Sequence, residues 1–299
     1  MNGKAARIGM AIFVSLTLLM AGLSVIGAQT PQDGESSDFY IVYTENRVDG
    51  SGAVLFITSA NNTYGVVEIP GIGFSQSFTV LADTITTVDV PLAAEVQGSD
   101  VIDDLGIRVS ANDDITVYFL NPGEPVETND AYVALPVEAL GTEYIAMAWP
   151  GYAIEDLSEL AIVSPFDNTE VTIISSIDTG SRLAGVPYSI SLDQFQTYTL
   201  QNDDYPEDLT GTIIQSNKPI AVFSGNRCGA IPLGYGYCDH LIQQMTPTNT
   251  WGKDFLTIPL ASRAGGDFLR MLAAVDGTTI VITGSIVTAV ELSQANPLL

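Results

Sequence analysis

Basic side chains, cysteine, histidine and tryptophan are all scarce in this chain, and each shortage narrows what it can do. Only 10 lysines and arginines stand against 35 aspartates and glutamates in 299 residues, a formal net charge of −25. A surface this negative repels phosphate backbones and anionic lipid, so neither nucleic acid nor membrane insertion beyond a leading segment is expected. Two cysteines and one histidine cannot complete the usual zinc set without a carboxylate such as Asp239.

No G-x-S-x-G elbow, H-E-x-x-H pair, P-loop or dinucleotide fingerprint is present. Asp239 and His240 are adjacent, but neighbours in a strand point to opposite faces, which makes the aspartate a poor orienter for the imidazole. Carboxylates abound, yet a glycosidase needs two in one cleft. The chain therefore reads as no enzyme, with no catalytic residue and no metal ligand assigned. Asp100, Asp103 and Asp104, then Asp113 and Asp114, then Asp203 and Asp204 form acidic clusters in expected loops. Calcium takes oxygen ligands of this kind, but none matches the spaced calcium loop, and solvated turns are the simpler reading. No cofactor is assigned, with Ca²⁺ the one alternative left open.

Long apolar runs are absent after the first 28 residues. Lys4 and Arg7 precede an apolar run from Ile8 to Ile26, followed by Gly27, Ala28 and a polar stretch. Residues 1–28 read as a secretory signal cleaved near Ala28, with an uncleaved anchor as the alternative. The expected location is secreted, extracellular or at the cell surface. In an oxidising compartment two cysteines are most economically one disulfide, Cys228 to Cys238, although two buried free thiols also fit.

What is abundant is short apolar alternation of period two, rich in Val, Ile, Thr, Tyr and Phe and broken by Asn, Asp, Gly and Pro. The runs include Ala53 to Thr58, Tyr64 to Ile69, Ile107 to Ser110, Ile115 to Leu120 and Tyr144 to Met147. This is the pattern of strands joined by tight turns, and the fold class is all-β. The pattern repeats. Leu55 to Thr63 resembles Leu160 to Thr169 and again Leu269 to Thr278, each read as a hairpin with an Asn- or Asp-containing turn. Gly106 to Tyr118 aligns with Gly211 to Phe223, and Pro136, Gly141 and Tyr144 align with Pro247, Gly252 and Phe255 at an offset of 111. The expectation is tandem β-sandwich-like repeats of about 105 to 111 residues, with a propeller of large blades as the alternative. Residues 29–52 would be a linker and first strand, 53–155 the first repeat, 156–266 the second, and 267–299 a partial third, as at a fragment's end. Trp149 and Trp251 end or begin strands of equivalent position in the two copies and read as core anchors between them.

The first copy is plain from Asn121 to Asp130, where the second carries Arg227 to Asp239 with both cysteines. A site would be grafted there, because loops vary at little cost to the core and a tether lowers the entropy lost on recognition. Tyr235, Tyr237, Asp239 and His240 are the candidate contacts, tyrosine giving rigid area at low entropic cost. A simpler reading of His240 is a polar residue packed under the loop, donating to a backbone carbonyl.

The segment Asn217 to Asn226, then Cys228, Gly236-Tyr-Cys-Asp-His-Leu241, Gln244, Pro247 and Trp251-Gly-Lys-Asp-Phe255 resembles the amino-terminal domain of the IgGFc-binding protein family. The resemblance is strongest from about Ile213 to Ile282. It implies a secreted β-rich interaction domain and carries over Cys228, Cys238, Asp239, His240 and Trp251, with no catalytic role. The acidic surface and short amino terminus suggest a bacterial member. The expected function is a binding or adhesion module for an extracellular glycoprotein, glycan or surface protein, with a structural spacer as the alternative. Oligomeric state is not legible.

Overall fold

The computed structural model describes residues 36–48, 50, 52–123, 128–258, 268–283 and 288–292. The expected signal at 1–28 lies outside these. Among the described residues there is no α-helix, only strands and short 3-10 turns, as the period-two patterning predicts. The first copy contains β1 (Ser36–Ile41), β2 (Ala53–Thr58), β3 (Thr63–Ile69), β4 (Phe74–Val80), β5 (Ile85–Val90), β6 (Val101–Asp103), β7 (Ile107–Gly123) and β8 (Thr128–Val133). The second starts before the expected residue 156, since β9 pairs with β14, and contains β9 (Gly141–Ile145), β10 (Ser158–Val163), β11 (Thr169–Ile174), β12 (Tyr188–Leu192), β13 (Thr197–Gln201), β14 (Ile213–Gly229) and β15 (Asp239–Gln244). A separate pair follows, β16 (Thr278–Ile282) with β17 (Thr288–Leu292).

Each copy is organised on one long strand of 17 residues, β7 or β14. The first half of β7 lies between β1 and β3, and its second half between β2 and β8. β14 repeats the plan, with β9 and β11 on its first half and β10 and β15 on its second. The tandem sandwich-like organisation is thus repeated around the two long strands, β6 having no counterpart among the described residues of the second copy. Two readings of detail change. The strands on either side of Asn61 do not form a hairpin, because β2 pairs with β5 and β7 while β3 pairs with β4 and β7. The runs Ile107 to Ser110 and Ile115 to Leu120 are one strand, the exposed Asn112, Asp113 and Asp114 marking a break in register instead of a turn. In β14 the matching break in register against β9 falls between Gln215 and Ile220, around Pro219, which has no N–H to give a ladder.

The copies are not separate bodies. β6 leaves the first copy and pairs with β13 at the edge of the second sheet. β10 is buried along its whole length, because Leu160 and Ile162 enter a core within the second copy while Ala161 and Val163 enter the core of the first. Ile220 and Val222 against Ala221 and Phe223 do the same on β14. The middle of the second sheet is therefore a shared layer, apolar on both faces, which a period-two strand achieves only with an unbroken apolar run. Phe255 is 81% exposed where its counterpart Tyr144 is 1% exposed. Arg270 ties this region back, pairing with Asp208 at 3.0 Å and lying over the Trp149 ring.

Candidate functional site

The shared layer ends at the cysteine loop. Cys228 closes β14 and Cys238 precedes β15, and the two form a disulfide with Cα atoms 5.3 Å apart. Cys228 is buried, and its carbonyl accepts from the N–H of Tyr152 at 2.8 Å. The loop is held from several directions. Trp149 donates its indole N–H to Ala230 O at 2.9 Å, and Asn226 donates to the carbonyls of Trp149 and Pro150. Arg47, from the segment after β1, reaches Cys238 Sγ at 3.2 Å and Asp156 at 3.1 Å and lies over the Tyr152 ring. Burial raises the Asp156 carboxyl above its usual range, with Arg47 opposing.

The expected contacts divide. Tyr235 and Tyr237 are 61% and 84% exposed, and Ile231 and Leu233 beside them are exposed too. Gly234 sits at φ 83°, a left-handed turn that leaves the tip open. Asp239 is exposed, with one carboxylate oxygen 3.4 Å from the N–H of Asn129. His240 is 0% exposed. It lies in the interior with its side chain opposite to that of Asp239, so it is not a surface contact, and the reading of a packed polar residue describes its position. Asn121 Nδ2 lies 3.1 Å from His240 Nε2, and Thr44 Oγ1 lies 3.5 Å from it. With Asn121 as donor the ring proton falls on Nδ1, facing the carbonyls of Arg227 and Asn226 without reaching hydrogen-bond geometry. Burial lowers the imidazole pKa to about 4.

A buried polar network extends from this histidine between the copies. Asn46 donates to Asn121 and to Thr128 O, and the His240 N–H donates to the Thr128 hydroxyl at 2.8 Å. Glu159 is buried, and its carboxyl is pushed well above the usual range by burial and then by Glu45, with Arg227 opposing. Arg227 pairs with Glu45 at 3.1 Å. Loops from both copies are thereby fixed beneath the disulfide.

Residues not singled out from sequence complete the exposed surface. Tyr152 and Tyr205, from two other loops, meet Leu233, Tyr235, Gly234 and Gly236 around a groove of about 350 Å³. Their one sequence signal is a tyrosine next to proline or Pro-Gly in a loop, as in Pro150-Gly151-Tyr152 and Tyr205-Pro206. Of the tryptophans, Trp149 is buried as expected, whereas Trp251 is only partly covered. Asp100 carries no free carboxylate. Burial raises its pKa, but hydrogen bonds from Arg182 and Tyr198 outweigh this and hold it below its usual value. No group of three or more His, Cys, Asp or Glu placed to hold a metal occurs among the described residues.

This topology and loop can be set against known proteins. The family model described as IgGFc binding protein matches residues 130–296, more than half of the chain, from β8 through the whole second copy. The chain belongs to this family. The human IgGFc-binding protein is 26% identical over 230 residues, which is 76% of this chain but 4% of that protein. The chain thus spans a small fraction of the curated relative it matches. That relative is human, which lends no support to the bacterial reading. No solved structure matches. The family match covers both cysteines, Tyr152, Tyr205 and the exposed tip of the loop, and among the described residues no helix is long and apolar enough to cross a membrane.

Proposed function

We propose that this chain is an extracellular binding module that engages a protein or glycoprotein partner through the loop between Cys228 and Cys238. The observation that carries the reading is the combination of exposed Tyr235 and Tyr237 with a closed, internally anchored base. Large rigid aromatic area on a preordered loop loses little entropy on association. Membership of a family named for binding a protein supports a protein partner, and immunoglobulin Fc is one candidate among several. The reading has no catalytic element. His240 and Thr44 are close, but both are sealed from solvent. A second reading, a structural spacer, draws on the strand that β6 lends to the next copy, a device suited to coupling repeats in line.

The test is binding of the chain to an array of mucins, glycans, surface glycoproteins and immunoglobulin Fc. The Tyr235→Ala/Tyr237→Ala variant is expected to lose at least about tenfold in affinity, each well-placed aromatic contributing on the order of 1 to 2 kcal/mol. Its circular dichroism should be unchanged. A double variant that binds as tightly as the parent overturns the assignment.

A further inference from the structure

The turn between β2 and β3 carries a feature that neither the core nor the cysteine loop uses. Asn61-Asn62-Thr63 is the one place in the chain where an asparagine stands two residues before a serine or threonine with no proline between. That spacing is the acceptor pattern for asparagine-linked oligosaccharide in exported chains. It also recurs by chance, and the geometry of the turn distinguishes this instance. Asn61 and Asn62 are both exposed. Ser59 donates its hydroxyl to Asp114 O at 2.6 Å and accepts from the Asn61 N–H at 3.2 Å, while Asn62 Oδ1 accepts from the Ala82 N–H at 2.8 Å. The turn is therefore fixed by its backbone and its neighbours, and among the described residues no hydrogen bond engages the Asn61 amide group.

The equivalent turn of the second copy, Asp167-Asn168-Thr169, shows what these positions do when they serve the fold. Asp167 Oδ1 accepts from the Gln194 N–H at 3.1 Å, and Thr169 Oγ1 donates to Phe166 O and accepts from Ser164 Oγ, both at 2.8 Å. Thr63 is also buried, at 4% exposure, but its hydroxyl has no partner. Valine would fill the space without burying an unpaired hydroxyl, so the fold gains nothing from this oxygen. A transferase does, since it reads the hydroxyl on the emerging chain before β3 pairs with β4. The turn lies at the end of β2 remote from Asn121 and the cysteine loop above it, because Val54 pairs with Leu120 and Thr58 with Thr116. Exposed Leu81 and Ile85 flank it, beside Ala82 and opposite Thr58.

We infer that Asn61 carries an N-linked oligosaccharide, which covers Leu81 and Ile85 and leaves the cysteine loop free. In the transfer the Asn61 Nδ2 attacks the anomeric carbon of a sugar carried on a polyprenyl pyrophosphate. The C–N bond forms as the C–O bond to pyrophosphate breaks, the lipid pyrophosphate leaves with the electron pair, and the amide proton passes to a base of the transferase. This rests on the extracellular reading but not on which partner the loop takes.

The experiment expresses the full chain in cultured animal cells that attach N-linked sugar and collects it from the medium. The secreted protein should lose mass on treatment with peptide N-glycosidase in heavy-oxygen water, with Asn61 recovered as labelled aspartate. Asn61→Gln and Thr63→Val should each remove the modification, and Thr63→Ser should keep it. Against the enzymatically deglycosylated parent, Thr63→Val should unfold at the same or higher denaturant, the hydroxyl being unpaired. Asn61→Gln should self-associate more than the glycosylated parent in light scattering, yet capture the same members of the protein and glycan array. A secreted, folded chain with Asn61 unmodified would overturn the inference and leave the extracellular reading standing. A chain left in the cytosol would overturn the extracellular reading and this inference with it. A less stable Thr63→Val would show a structural hydroxyl and refute its assignment to the transferase, and unchanged scattering by Asn61→Gln would refute the covering of Leu81 and Ile85.

Discussion

His240 shows how a single residue can be conspicuous in sequence for a reason other than contact. It is the chain's one histidine, and it is spent on holding Asn121 and the interior between the copies. Its pKa of about 4 lies below the ordinary 6.5, so the unfolded chain takes up the proton first as the medium is acidified. Stability from this group is therefore present above about 6.5 and lost as pH falls toward about 4, a change of up to about 3 kcal/mol. Glu159 acts in the opposite sense, its raised pKa contributing stability that fades as pH rises above the ordinary 4.5. Comparison with His240→Gln isolates the histidine, since the amide oxygen can accept from Asn121 without titrating. Denaturant midpoints of the parent should fall between pH 6.5 and 4 more steeply than those of the variant; parallel curves would mean the ring is not held neutral. Residue-scale reading otherwise worked where side-chain type implied exposure, as at Tyr235 and Tyr237. It missed Tyr152 and Tyr205 because only the convergence of three loops makes them neighbours.

At the scale of elements, turn chemistry was the weakest guide. Asn112-Asp113-Asp114 has the composition of a turn, yet pairing with strands on both sides keeps β7 extended through it. Tertiary pairing overrides a local preference worth about 1 kcal/mol in strands. The hairpin expectation failed for a related reason: consecutive strands in the chain need not be partners when a third, longer strand serves both. The cysteine loop was better specified, because two cysteines a short distance apart in an oxidising setting leave few options. Closing this loop removes chain entropy worth roughly 2 to 3 kcal/mol. Cys228→Ser/Cys238→Ser should therefore unfold at lower denaturant, with its largest gain in hydrogen exchange between Gly229 and Asp239. Unchanged exchange there would show that Trp149, Asn226 and Arg47 hold the loop without the bridge.

For the whole molecule, the duplication was legible and the fusion was not. Repeat length follows from spacing, but nothing in the first copy announces that Ala161, Val163, Phe223 and Ile242 will complete its core. A hint lay in Leu160-Ala-Ile-Val163, an apolar run with no polar face to give to solvent. Phe223, buried and 5.4 Å from the Tyr132 ring, belongs to the second copy in sequence and to the first in packing. Phe223→Ala should cost about 3 to 5 kcal/mol and loosen both sheets together. Hydrogen exchange read on β3 and β11 would show this, whereas loss confined to one sheet would mean the copies unfold separately.

The shared layer also sets an order of events while the chain is being made. A domain with a core of its own can close as soon as its last strand emerges. The first copy cannot, because its interior stays open until β10, β14 and β15 have arrived, more than a hundred residues after its own first strand. Until Ile242 is in place, the earlier half is a set of paired strands waiting for a wall, and any helper that guards emerging chains must shield two copies at once.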